Sequence, residues 1–211
     1  MQQILVYGDS LSWGLVPDTR QRFSFDQRWP GILELELSNS GNPARVIEDC
    51  LNGRRTVWDD PYKPGRNGGI GLAQRIEINS PLALVILLLG INDFQSVHQL
   101  GAWESAQGLR TLISAIRQSP IEPTMPIPPI LVVAPPKLQK ARGTIAPKFK
   151  DAESKAKGLN EQIKQAATDT DCYFLDASTV TQTSRIDGVH LDIDQHLALG
   201  KAVAEQVKIL I

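Results

Sequence analysis

Leu82-Ala83-Leu84-Val85-Ile86-Leu87-Leu88-Leu89 is an apolar run with no polar interruption, closed by Gly90. A strand with one wet face alternates apolar and polar residues, so an unbroken run of this length reads as a strand buried on both faces. It falls far short of the roughly 20 residues that a helix needs to cross a bilayer. The stretch is therefore taken as the centre of a parallel sheet covered by helices.

Working outward, shorter apolar runs place further strands at 3–8, 45–51, 130–135 and 172–176, with the central one at 82–89. Helical periodicity fills the spaces between them. Trp29–Leu37 aligns Trp29, Ile32, Leu33 and Leu37; Trp103–Arg117 aligns Leu109, Leu112, Ile113 and Ile116. Phe149–Ala167 reads as one charged amphipathic helix, and His196–Leu210 carries Leu199, Val203 and Val207 inward. This alternation predicts an α/β fold of three layers, a doubly wound parallel sheet of five strands. Such a sheet puts its site beyond the carboxyl ends of its strands, where the strand order reverses.

The polar residues delivered there carry the functional reading. Ile4-Leu5-Val6-Tyr7-Gly8-Asp9-Ser10-Leu11 ends the first strand in a serine, and Asp187-Gly188-Val189-His190 supplies a late acid and base. Serine, histidine and a carboxylate make the inventory of a serine hydrolase. With acid and base on one short loop, the carboxylate can face one imidazole nitrogen while the other faces Ser10. Asn52 and Gly53 follow the second strand, and Asn92 and Asp93 follow the third.

These blocks resemble the SGNH, or GDSL-type, hydrolase family over nearly the whole chain: Gly8-Asp9-Ser10-Leu11, Gly53, Gly90-Ile91-Asn92-Asp93 and Asp187-Gly188-Val189-His190, in order. The resemblance implies a flavodoxin-like sheet of order 2-1-3-4-5 and three catalytic residues: Ser10 as nucleophile, His190 as base, Asp187 as its orienter. It implies an oxyanion hole made by the Ser10 and Gly53 amides and the Asn92 side chain. Ser12-Trp13-Gly14-Leu15-Val16-Pro17, Arg28-Trp29, Leu51-Asn52-Gly53-Arg54-Arg55-Thr56 and Asp59-Asp60 are similar to its arylesterase and acyltransferase branch. That branch implies short-chain acyl esters as substrates, with acyl transfer to alcohols and a homo-oligomer as open options. Carbohydrate deacetylase and lysophospholipase or thioesterase activities are the alternatives within the family. Ile91 stands where that family usually has Thr, a departure that touches no catalytic atom.

Composition bounds the partners. With 211 residues and 42% hydrophobic content, the chain reads as a single domain over 1–211. Its 22 Lys plus Arg against 23 Asp plus Glu give a net charge of −1, which offers no reason to expect nucleic acid or an anionic membrane. A small-molecule ester is the expected partner, and no cofactor is called for. Met1-Gln2-Gln3 leads straight into a strand, so a cytoplasmic location is expected.

Other residues carry plainer expectations. Trp13 and Asn52 are substrate-contact candidates, and Trp13 with the loop Gly53–Gly71 is expected to wall a narrow, apolar pocket. Arg54 and Arg55 are expected to be solvated or paired with Asp59 and Asp60, Asp93 to serve a turn or cap, and His98 to lie exposed in a loop. The grouping of Asp187, His190, Asp192, Asp194 and His196 invites a metal, but no calcium-loop pattern is present and no metal is expected. Asp194 suits the start of the last helix. Cys50 and Cys172 fall on opposite sheet edges in the 2-1-3-4-5 order, roughly 19 Å apart, whereas a disulfide needs Cα atoms within about 7 Å. A non-hydrolytic flavin- or phosphate-binding protein shares this fold, but Gly8–Gly14 has no Gly-x-Gly-x-x-Gly pattern and Asp9 repels phosphate.

Overall fold

In the computed structural model, which describes residues 1–211, every residue of Leu84–Leu88 is buried. This strand, β3, lies inside a five-stranded parallel sheet with β1 (Gln2–Gly8), β2 (Ala44–Cys50), β4 (Ile130–Ala134) and β5 (Tyr173–Asp176). The spatial order is 2-1-3-4-5, as expected. Burial grades with position: β3 and β4 are buried throughout, whereas β2 and β5 at the edges are only partly covered. Cys50 and Cys172 sit at those opposite edges and are both free thiols.

The helices follow from right-handed crossovers. The step from β1 to β2 runs one way and places α2 (Trp29–Asn39) on one face; the later steps run the other way. They place α3 (Leu72–Asn79), α4 (Ala102–Arg117) and α6 (Leu159–Asp169) on the opposite face. The last helix, α7 (Ile193–Leu210), returns to pack on α2. At that contact the Trp29 N–H donates to Nδ1 of the buried His196 at 3.3 Å.

Three elements differ from the sequence expectation. The single helix expected over Phe149–Ala167 is two, α5 (Ala152–Lys155) and α6, because Gly158 adopts φ +83 and ends the helical path between them. α3 has no counterpart among the expected helices: its buried apolar face is only Leu72 and Ile76, too brief a repeat to register as a period. α7 begins before His196 because Asp192, rather than Asp194, takes the N-cap, its backbone N–H donating to the Gln195 side chain at 2.8 Å. No helix is long and apolar enough to cross a membrane.

Candidate active site

β1 is the strand at which the order reverses, and its end is level with both neighbours: Gly8 lies opposite Cys50 of β2 and Leu88 of β3. The residues that follow, Asp9-Ser10, Leu51–Gly53 and Leu89–Asn92, therefore emerge side by side. Ser10 opens the short helix α1 (Ser10–Trp13), whose first turn is held by the Asp9 carboxylate accepting the Leu11 N–H at 2.9 Å. That turn lifts the serine hydroxyl off the sheet into a cleft.

The loop Asp187–His190 reaches the same cleft. Asp187 Oδ1 accepts the Val189 and His190 N–H groups, each at 2.9 Å, so the backbone itself sets the angle between acid and ring. Asp187 Oδ2 lies 2.6 Å from His190 Nδ1, and His190 Nε2 lies 3.1 Å from Ser10 Oγ. A carboxylate only accepts, so Nδ1 carries the proton and Nε2 presents its lone pair to the serine hydroxyl. Burial alone raises the Asp187 carboxyl, but the His190 ring and the two N–H donors outweigh it and bring it down to about 2. At neutral pH this carboxylate is charged and can stabilise an imidazolium. Two braces hold the loop from outside: Gln139 N–H donates to Gly188 O, and Arg142 N–H donates to Asp187 O, each at 3.0 Å.

Ser10, Gly53 and Asn92 all line the cleft. The N–H groups of Ser10 and Gly53 donate to no backbone acceptor within the protein. Gly53 has φ +84, a conformation that side chains disfavour, yet a Cβ there would meet nothing nearer than 3.8 Å. The glycine is thus needed for its backbone angle and not for space. Asn92 lines the cleft, gives one Nδ2 hydrogen to Asp9 Oδ2 at 2.9 Å and retains the second. Full burial raises the Asp9 carboxyl to about 6 despite the opposing pull of Leu11 N–H, His190 and Asn92.

The cleft encloses about 580 Å³ and has 15 lining residues. Only Leu15, Ile145 and Phe149 among them are hydrophobic, which corrects the expectation of an apolar pocket. Asn52 and Gly53 line it as expected; Trp13 does not, because its ring faces the Arg22 guanidinium at 4.8 Å. Leu15, two residues on, takes the wall position instead. Lys63 comes from the loop Gly53–Gly71, and Thr144, Ile145, Lys148 and Phe149 come from the stretch after β4, with Asp18 and Arg20 beyond α1. Single-residue patterns gave no signal for these wall residues, since their convergence depends on loop paths.

Other site-adjacent expectations are also corrected. Arg54 and Arg55 are buried, not solvated: Arg54 pairs with Asp49 at 2.7 Å, donates to Gly8 O at 3.0 Å and stacks on Tyr7. Arg55 does pair with Asp60, at 2.9 Å, but without exposure to solvent. Asp93 does sit in the turn after β3, its N–H donating to Gly90 O at 3.1 Å, but its buried carboxylate also accepts the Thr56 N–H at 3.0 Å and the Thr56 and Ser105 hydroxyls at 2.8 and 2.7 Å. His98 is half-buried, with Nε2 3.0 Å from the Asp59 carbonyl. Asp187, His190, Asp192, Asp194 and His196 do not converge into a group of metal-ligating side chains. Asp192 instead accepts the Ser184 hydroxyl at 2.8 Å, and Asp194 is exposed.

Comparison with known proteins gives this arrangement a family. The model of the GDSL-like lipase/acylhydrolase family matches residues 6–198. An aryl esterase from M. smegmatis, solved both native and with an inhibitor, is 34% identical, with a TM-score of 0.94 and 100% of each chain covered. A carbohydrate acetylesterase from Sinorhizobium meliloti is 32% identical, with a TM-score of 0.93 and again 100% of each chain covered. No curated protein matches the chain. A parallel sheet of order 2-1-3-4-5, near-complete coverage by the family model and full-length esterase neighbours lead to one assignment: the chain belongs to the GDSL-like lipase/acylhydrolase family and is a carboxylic ester hydrolase.

Proposed function

We propose that the protein hydrolyses short-chain acyl esters through an acyl-Ser10 intermediate. The observation that carries this is the His190 ring spanning Ser10 Oγ at 3.1 Å and Asp187 Oδ2 at 2.6 Å. Ser10 Oγ attacks the ester carbonyl carbon as His190 Nε2 takes its proton, and negative charge gathers on the carbonyl oxygen. The Ser10 and Gly53 N–H groups and the Asn92 amide receive that charge; each such donor in a dry site is worth roughly 3–4 kcal/mol. Collapse releases the alcohol with the proton from His190, and water then repeats the sequence to free the acid and Ser10.

The acyl range, acetyl to butyryl, follows the resemblance to the arylesterase branch, and a cleft of about 580 Å³ has room for the acyl group together with its alcohol. Its polar lining favours a second reading of the alcohol side: an acetyl ester of a hydroxylated alcohol such as a sugar, as in the carbohydrate acetylesterase neighbour. The same lining favours water over an apolar alcohol as acyl acceptor, so hydrolysis is the main outcome and transfer the minor one. The partner is a small ester, free in solution.

Ser10→Ala tests the core of this reading. It should lose at least about a thousandfold in rate on p-nitrophenyl acetate, and a phosphonate inhibitor should leave its adduct on Ser10 by mass spectrometry. Near wild-type turnover by that variant overturns the mechanism. A series of p-nitrophenyl esters tests the substrate: an optimum at ten carbons or more removes the short-chain reading. Vinyl acetate with benzyl alcohol in buffer tests transfer, through the ratio of benzyl acetate to acetate.

A further inference from the structure

A buried polar chain runs from the loop after β2 into the candidate active site. Arg55, with no exposed surface, is ion-paired to Asp60 at 2.9 Å and donates through Nη2 to Gln95 Oε1 at 2.5 Å. Gln95, 1% exposed, donates in turn through Nε2 to Asn92 Oδ1 at 2.6 Å, and Asn92 Nδ2 donates to Asp9. None of Arg55, Gln95 and Asp60 lines the cleft.

The order of donors along this chain is fixed from both ends, by Arg55 at one and by the Asp9 carboxylate at the other. An asparagine amide has nearly the same outline either way round, so packing alone does not choose which end faces a substrate. Arg55 is a guanidinium and only donates, so Gln95 must turn Oε1 toward it and Nε2 away. That N–H then requires an oxygen, which fixes Asn92 Oδ1. Nδ2 is left between Asp9 and the cleft, while the reversed amide would set an oxygen against the Asp9 carboxylate with no donor between them.

We propose that Gln95, oriented by Arg55, is a positioning residue that sets the polarity of the Asn92 amide and so keeps an N–H turned toward the oxygen of the reacting ester. This deepens the reading of Asn92 as an oxyanion donor and rests on it. Gln95 touches no substrate; its effect passes through Asn92 alone, and the chain Asp60–Arg55–Gln95 links the loop after β2 to the chemistry.

Gln95→Glu is the direct test, because it keeps the length of the side chain and its acceptor for Arg55 but removes the hydrogen given to Asn92. On p-nitrophenyl acetate kcat should fall by at least about tenfold with KM changed less than about threefold. Affinity for a trifluoromethyl ketone, whose adduct on the serine bears an oxyanion, should fall in parallel with kcat/KM. In an Asn92→Ala background the same change should cost less than about twofold more, since the group through which it acts is gone. Gln95→Met, which also removes the donor, serves if the first variant does not fold. A folded variant with wild-type kcat, or a loss that multiplies fully with Asn92→Ala, overturns the proposal. Ser10→Ala separates the two levels: if it stays active the mechanism itself is wrong, and if it is inactive while Gln95→Glu is normal only the role of Gln95 falls.

Discussion

The backbone N–H of Asp18 lies 3.2 Å from Asp187 Oδ2, a contact between residues 169 positions apart. The Asp18 side chain meanwhile accepts the Thr144 N–H and hydroxyl at 2.9 and 2.8 Å. One residue therefore fastens the segment beyond α1 to both the acid of the candidate site and the wall that follows β4. Asp187 in turn takes four contacts on two oxygens, three of them from its own loop.

Asp187→Asn keeps this outline while losing its charge. An amide has one oxygen for four donors, so the His190 ring is driven toward the wrong tautomer, and kcat should fall about 10⁴-fold. The carboxyl is held down at about 2, below its usual value in an unfolded chain, so its contribution to stability is present above about 4 and is lost as pH falls through 2. Urea unfolding of wild type and variant should differ at pH 7 and converge near pH 2.

His196 supplies the opposite kind of acid sensitivity, one unrelated to the chemistry. Burial, then the nearby His190 and Arg28, lower its ring to about 3, whereas in the unfolded chain it protonates near 6.5. The folded protein keeps the ring neutral, so stability is full above about 6.5 and declines as pH falls toward 3. His196→Gln should flatten the fall in urea midpoint between pH 7 and pH 4 by the equivalent of a few kcal/mol. An unchanged slope would contradict the assignment.

Asp93 should show its effect on the alkaline side. Burial raises its carboxyl to about 6 against the lowering pull of Ser105 and Thr56, so its contribution to stability is full below about 4 and lost as pH rises through 6. Above that pH the charged form depends on its hydroxyl donors. Thr56→Val removes one of them without changing shape, and should cost about 1–3 kcal/mol at pH 8 and less at pH 5. Denaturant curves at the two pH values measure the difference.

Gly53→Ala isolates the backbone angle, because a methyl at that position has room. Holding φ +84 with a side chain should cost about 1–2 kcal/mol, or the turn relaxes and carries the Gly53 N–H away from the cleft. The expected result is a fall of roughly 10- to 100-fold in kcat with a modest drop in Tm. A variant with wild-type kcat removes Gly53 from the set of donors.

The sheet was legible because β3 and β4 are apolar at every position, the mark of strands covered on both faces; its order was implied by the resemblance of the motif blocks to a known family and not by the apolar runs. Ser10, Asp187 and His190 stand on turns fixed by neighbours within three residues, so each was legible as a short motif, and the fold brings the three into contact. What escaped the sequence depends on distant loops. Trp13 and Leu15 are equivalent as sequence neighbours of Ser10, and only the end of α1 at Gly14 decides which turns to the cleft. Arg54 and Arg55 read as solvated charges because their acceptors, Gly8 O and Gln95 Oε1, lie 46 and 40 positions away. The polarity of the cleft came from Lys63, Thr144 and Lys148, which nothing local brings together.

Ser10 and His190 touch across 180 positions, the one leaving the first strand and the other following the last. Neither half of the chain holds the whole site: Ser10, Gly53 and Asn92 lie in the first and Asp187 and His190 in the second. Closing so long a loop costs entropy that only the completed sheet, with α7 docked on α2, can offset. Ester turnover thus reports the last event of refolding: after dilution from urea it should recover with the slowest tertiary phase and show no early burst, even where helical signal returns at once.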